Sequence, residues 1–236
     1  PISAAVAPQQ FGHGLGVGDI DGDGRQDVLS KNGWYEQPAD LEGDPKWAFH
    51  PANFARPGGA EIYAYDVDGD GDNDVITSLS AHEFGLAWHE QIQEQGQIGF
   101  KKHLSMGSTA AENPYGLHFS ELHSVALADV DGDGLKDIVT GKTYYSHHAQ
   151  STDWDAGAVV YWFRLQRSAA GAVRWVPHLA AADAGIGRQI VVSDVNGDGK
   201  ADIVVGGMKG CSVLLHQTVA TDAAGWKAAQ IGRAHV

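Results

Sequence analysis

A nine-residue acidic pattern recurs four times, apolar strand-like runs flank every copy, and each copy carries about four such runs. Together these predict an all-β fold: a β-propeller of four-stranded antiparallel blades. The copies open at Asp19, Asp66, Asp129 and Asp194, a spacing that suits one blade per copy. A parallel β-helix needs a much shorter repeat, and no stretch reads as a long helix.

Within a blade, strand one leads into the pattern, as in Ser124-Val-Ala-Leu-Ala128, and strand two leaves it, as in Ile138-Val-Thr140. Strand three is read at Gly33–Gln37, Gly85–Gln91, Ala158–Arg164 and Ser212–Gln217. Strand four follows at Lys46–His50, Ile98–Leu104, Val173–Leu179 and a weaker Gly225–Ala228. The blades then span about 11–55, 58–105, 120–182 and 186–230 of one repeat domain, 1–230. Trp34, Trp88 and Trp162 occupy matching places on strand three and read as core between blades. Cys211, at the head of an apolar strand, reads as packed.

The acidic pattern has the spacing of a calcium loop. Oxygen-bearing side chains stand at positions 1, 3, 5 and 9: Asp19, Asp21, Asp23 and Asp27; Asp66, Asp68, Asp70 and Asp74; Asp129, Asp131, Asp133 and Asp137; Asp194, Asn196, Asp198 and Asp202. A glycine at position 6 lets the chain turn so that alternate side chains converge. The backbone carbonyl at position 7 (Arg25, Asp72, Leu135, Lys200) supplies a further oxygen. Position 12 is Ser30, Thr77, Thr140 or Val205, not the bidentate Glu of a helix–loop–helix site, so these are loops between strands. A single Asp-Gly turn needs no ion. Four in register point to up to four structural Ca²⁺, bound most weakly at the fourth loop, where Asn196 removes a charge.

The formal net charge of −14 argues against nucleic acid or anionic membrane as a partner. No apolar run approaches the roughly 18–20 residues that span a bilayer. A lone cysteine excludes an internal disulfide framework. The chain begins at Pro1 with no visible signal peptide, and Ile231–Val236 reads as translated sequencing adapter, so the chain is expected to be a fragment.

Because the acidic loop joins strands one and two, the residues entering strand one and leaving strand two share the opposite face. Six residues before the first Asp stand His13, Ala60, His123 and Arg188; five before it stand Gly14, Glu61, Ser124 and Gln189. The exits from strand two add Lys31, His82, Lys142, Tyr144, Tyr145, His147, His148 and Lys209. His13, Glu61 and His123 are the candidate catalytic set, able to serve as an acid–base group or to hold Zn²⁺. Arg188, Gln189, Lys142, Tyr144 and Tyr145 are the candidate ligand contacts. The plainer alternative is a set of hydrogen-bonded residues lining a wet channel. The adjacent His147 and His148 are a weak metal signal. Gly12-His-Gly14-Leu-Gly16 precedes an acidic loop, not a helix, and is no dinucleotide fingerprint.

The repeated D-φ-D-G-D-G-x-x-D-φ-φ, with Phe11-Gly12 ahead of its first copy, resembles the FG-GAP or VCBS repeat of integrin-like propellers. That resemblance implies a ring of seven or so blades, so four blades suggest that further blades or domains of a longer chain are partners. Phe11–Asp19, Gly116–His123 and Gly141–Tyr145 resemble bacterial secreted VCBS proteins, implying a secreted or periplasmic location. More distantly they are similar to the propeller of the aldos-2-ulose dehydratases, sugar lyases with a metal in a propeller cleft. Two functions therefore compete. One is a calcium-binding scaffold for a carbohydrate or protein ligand; the other is a sugar lyase with His13, Glu61 and His123 around a metal.

Overall fold

A computed structural model describes residues 1–3, 14–56, 59–168 and 170–225. His13, most of the fourth strand expected in blade four, and Ile231–Val236 lie outside the described residues.

The strands form where the apolar runs flank the acidic loops. Blade one comprises β1 (Leu15–Gly18), β2 (Asp27–Ser30), β3 (Gly33–Glu36) and β4 (Ala48–Pro51). Blade two comprises β5 (Tyr63–Tyr65), β6 (Asp74–Ser78), β7 (Leu86–Glu94) and β8 (Gln97–Met106). Blade three comprises β9 (Val125–Ala128), β10 (Asp137–Gly141), β11 (Val160–Arg167) and β12 (Val173–Ala181). Blade four has β13 (Ile190–Ser193), β14 (Asp202–Gly207) and β15 (Gly210–Leu214) among the described residues. Every sheet runs antiparallel in sequence order, as successive hairpins require. Short 3-10 turns stand at Ala110–Glu112 and His148–Gln150, both within long connections on the face away from the acidic loops.

First strands lie innermost. β1 packs beside β5 and β9 beside β13, while the Tyr63 hydroxyl of blade two donates to the Val125 carbonyl of blade three at 3.0 Å. The chain is thus an all-β propeller arrangement of four blades. Its hydrophobic core is divided between blade pairs because each sheet has two apolar faces. Ile20, Leu29, Trp34, Phe54, Ile62 and Val75 fill the space between blades one and two. Ile76, Trp88, Met106, Phe119, Ile138 and Phe163 belong to the larger core between blades two and three. Val139, Val160, Ile186, Ile190, Ile203 and Val205 join blades three and four.

The strand-three tryptophans do face these cores, and each also stacks on the histidine opposite it on strand four. Trp34–His50, Trp88–His103 and Trp162–His178 have ring centroids 4.1, 4.4 and 4.4 Å apart. Cys211 departs from expectation: it is exposed. The reason is its position on β15, whose outward side meets no further blade among the described residues. Val191, Val213 and Leu215 of the same blade are exposed too, as are Leu15 and Val17 at the other end.

Candidate functional site

The acidic loops are built alike. The first aspartate of loops one, three and four accepts from three backbone amides through both its oxygens; Asp129, for instance, takes Gly132 N at 2.8 Å, Asp133 N at 3.1 Å and Gly134 N at 3.0 Å. The third-position side chain accepts from the fifth amide and the fifth from the seventh, so each loop is a chain of short Asx turns. Glycines at positions 4 and 6 have positive φ throughout, from 77° at Gly22 to 100° at Gly71. The ligand spacing alone points to this need only at position 6.

The ninth-position aspartates are buried and do more than offer an oxygen. Asp137 accepts Val130 N at 3.0 Å with one oxygen and Leu165 N at 2.9 Å with the other. Asp27, Asp74 and Asp202 repeat this staple, tying the loop to the end of strand three. Burial and neighbouring carboxylates raise Asp74 and Asp137 to about 7 despite those amides.

The donor set fits a hard cation. Carboxylate oxygens of Asp19, Asp21 and Asp27 lie within 4.8 Å of one another, as do those of Asp66, Asp68 and Asp70, and of Asp129, Asp131 and Asp137. Loop three already receives a positive group: the Arg164 guanidinium reaches Asp131 at 2.5 Å and Asp133 at 2.8 Å.

On the opposite face, His82, His123 and His147 offer ring nitrogens within 4.8 Å of one another. Glu121 sits beneath them, fully buried, with one oxygen 3.3 Å from His123 Nδ1 and 3.7 Å from His82 Nδ1. Three connections make this cluster: the one after strand two of blade two brings His82, the one before strand one of blade three brings Glu121 and His123, and the one after strand two of blade three brings His147. Glu121 holds a φ of 65°, rare outside glycine, and its backbone carbonyl receives Thr143 N at 3.1 Å, pinning the two blade-three connections together. Burial, and then the neighbouring His82, push His123 down to about 3, so its imidazole is neutral and able to ligate. Burial raises the Glu121 carboxyl, while the nearby serines and Lys142 oppose that rise. Lys142 is fully buried with its ammonium 3.4 Å from Ser120 Oγ, and burial lowers its pKa.

The sequence-derived residues divide. His123 lies in the cluster. Glu61 is turned elsewhere: its carboxylate accepts Ser124 Oγ at 3.2 Å and Val125 N at 2.8 Å, linking blade two to blade three. Tyr144 and Tyr145 are half-buried beside each other, and Lys209 stands over the Tyr144 ring at 5.3 Å. Arg188 and Gln189 are exposed, with Arg188 near enough to bias His123 electrostatically. The sequence marks His82 only as a strand exit and His147 as a strand exit and a weak metal signal, and it does not single out Glu121. Its spacing of two residues before His123 is the available signal.

Comparison with known families matches the FG-GAP repeat over residues 122–162 and 186–208. These stretches contain the third and fourth acidic loops with their flanking strands. No curated protein matches the chain. The chain carries FG-GAP repeats, set on the blades of a β-propeller.

Proposed function

We propose that this chain is part of an exported, calcium-stabilised propeller that uses the face opposite its acidic loops to hold a zinc ion and bind a small polar ligand, a carbohydrate being the best-suited class. The observation that carries this reading is the convergence of His82, His123 and His147 above Glu121. Zinc–nitrogen bonds of about 2.0–2.1 Å place tetrahedral ligands about 3.4 Å apart, so a small ring rotation closes the histidines on one ion. Three protein ligands leave a position open for a ligand oxygen. Lys142, Tyr144, Tyr145 and Lys209 then supply polar and aromatic groups at the same mouth.

Calcium belongs to the other face. Fixed turns, converging carboxylates and buried aspartates raised to about 7 all favour an added cation there. FG-GAP repeats favour an extracellular or surface location, and no helix among the described residues is long and apolar enough to cross a membrane. Exposed apolar side chains on blades one and four favour further blades of a longer chain as neighbours.

A lyase is the second reading, favoured by buried Lys142 and Glu121 beside the histidines, whose pKa values are shifted toward each other as an acid–base pair needs. Zinc titration of metal-stripped protein, followed calorimetrically in excess calcium, tests the proposal. One tight equivalent is expected, weakened about a hundredfold in His147→Ala, whose exposed ring can be removed with no change in melting temperature. Equal zinc affinity in the wild type and in His147→Ala and His82→Ala would discard the site. Turnover of an aldos-2-ulose by the zinc-loaded protein alone would select the lyase.

A further inference from the structure

One strand-three position differs in charge from blade to blade. The amides of Gln37, Gln91, Leu165 and His216 each meet a ninth-position aspartate, which fixes the register of strand three in the four blades. One residue earlier stand Glu36, Glu90, Arg164 and Leu215. In blades one and two the glutamate pairs with the strand-four histidine, Glu36 with His50 at 2.8 Å and Glu90 with His103 at 2.5 Å. Each also adds negative charge near its own loop, beside Asp21 and Asp68.

Arg164 reverses this arrangement. A guanidinium has no acceptor to offer His178, and it turns instead onto the loop, bridging positions 3 and 5 through Asp131 and Asp133. The ligands gather accordingly: loops one and three, where an arginine holds the fifth-position aspartate, converge through positions 1, 3 and 9. In loop two, positions 1, 3 and 5 converge (Asp66, Asp68, Asp70). In loop three the converging set is Asp129, Asp131 and Asp137, with Asp133 left to the guanidinium. Arg25 draws Asp23 aside in loop one, but among the described residues its ion pair is with that carboxylate alone, and its Nε–H is committed to the Gln37 carbonyl.

We propose that Arg164 is a built-in counter-ion that competes with calcium for the third loop. Loop three then fills last, below even the Asn196 loop, and blade three keeps its shape when calcium is scarce. Blade three supplies His123, Glu121 and His147, so this part of the opposite-face cluster, to which blade two adds His82, survives calcium depletion. This rests on the calcium reading above.

The test compares the wild type with Arg164→Gln and the charge-retaining Arg164→Lys. Calcium is titrated by calorimetry, and thermal unfolding is followed in chelator and in saturating calcium. In Arg164→Gln the weakest calcium step should tighten about tenfold, because ligand charge sets the affinity of such loops. Its melting temperature should fall in chelator and not in calcium. Arg164→Lys should stay close to the wild type in both. An unchanged or weakened last step in Arg164→Gln, or an equal loss of stability in both buffers, overturns the proposal. If the wild type takes up no calcium, the calcium reading fails separately.

Discussion

His89 shows what a single buried ring does to pH behaviour. It lies 2 % exposed, packs edge-on to Phe54, and shares a 3.0 Å hydrogen bond with the Phe54 carbonyl, for which the neutral ring donates Nε2–H. Burial pulls its pKa down from 6.5 to about 4. Because the folded value is the lower one, the unfolded chain takes up a proton first as the pH falls. The stability contributed is complete above pH 6.5 and drains away as the pH drops toward 4. His178, also brought to about 4 by burial and by Arg164, acts in the same window. Urea unfolding in excess calcium, which on the proposed reading keeps the loop carboxylates ionised, should show stability falling by about 3–7 kcal/mol between pH 7 and 4. His89→Gln should flatten that slope while lowering the plateau. An unaltered slope would mean that the ring is protonated in the fold.

At the scale of elements, loops and strands are largely legible in the sequence because each signal occurs four times in register. The pairing of Asp19-to-Asp27 spacing with apolar flanks locates β1, β2 and their counterparts. What escapes is everything that does not repeat. His147 and Glu121 reach the cluster from connections unique to blade three, and the φ of 65° at Glu121 has no signature in sequence. The ninth-position aspartates read as ligands, yet their staple to strand three follows from depth of burial, which spacing cannot reveal. The loops also constrain glycine more tightly than expected. Gly132, at position 4, has a φ of 78° and open space where an added methyl would stand, so Gly132→Ala carries backbone strain without a clash. It should cost about 1–2 kcal/mol in melting experiments, in calcium and in chelator alike. No loss at all would show that this loop can adopt another path.

At the scale of the whole molecule, three cores lie between consecutive blades among the described residues, and two faces carry different chemistry. Hard carboxylates gather where β1, β5, β9 and β13 end, and imidazoles gather where β6 and β10 end. Softer nitrogen ligands prefer zinc and carboxylates prefer calcium, so the proposed reading puts two metals on opposite faces. Anomalous diffraction from crystals grown with both ions, recorded above and below the zinc absorption edge, tests this division most directly. A peak is expected among His82, His123 and His147 that disappears below the edge, with calcium alone in the acidic loops. Zinc in the acidic loops, or no edge-dependent peak among the three histidines, would contradict it.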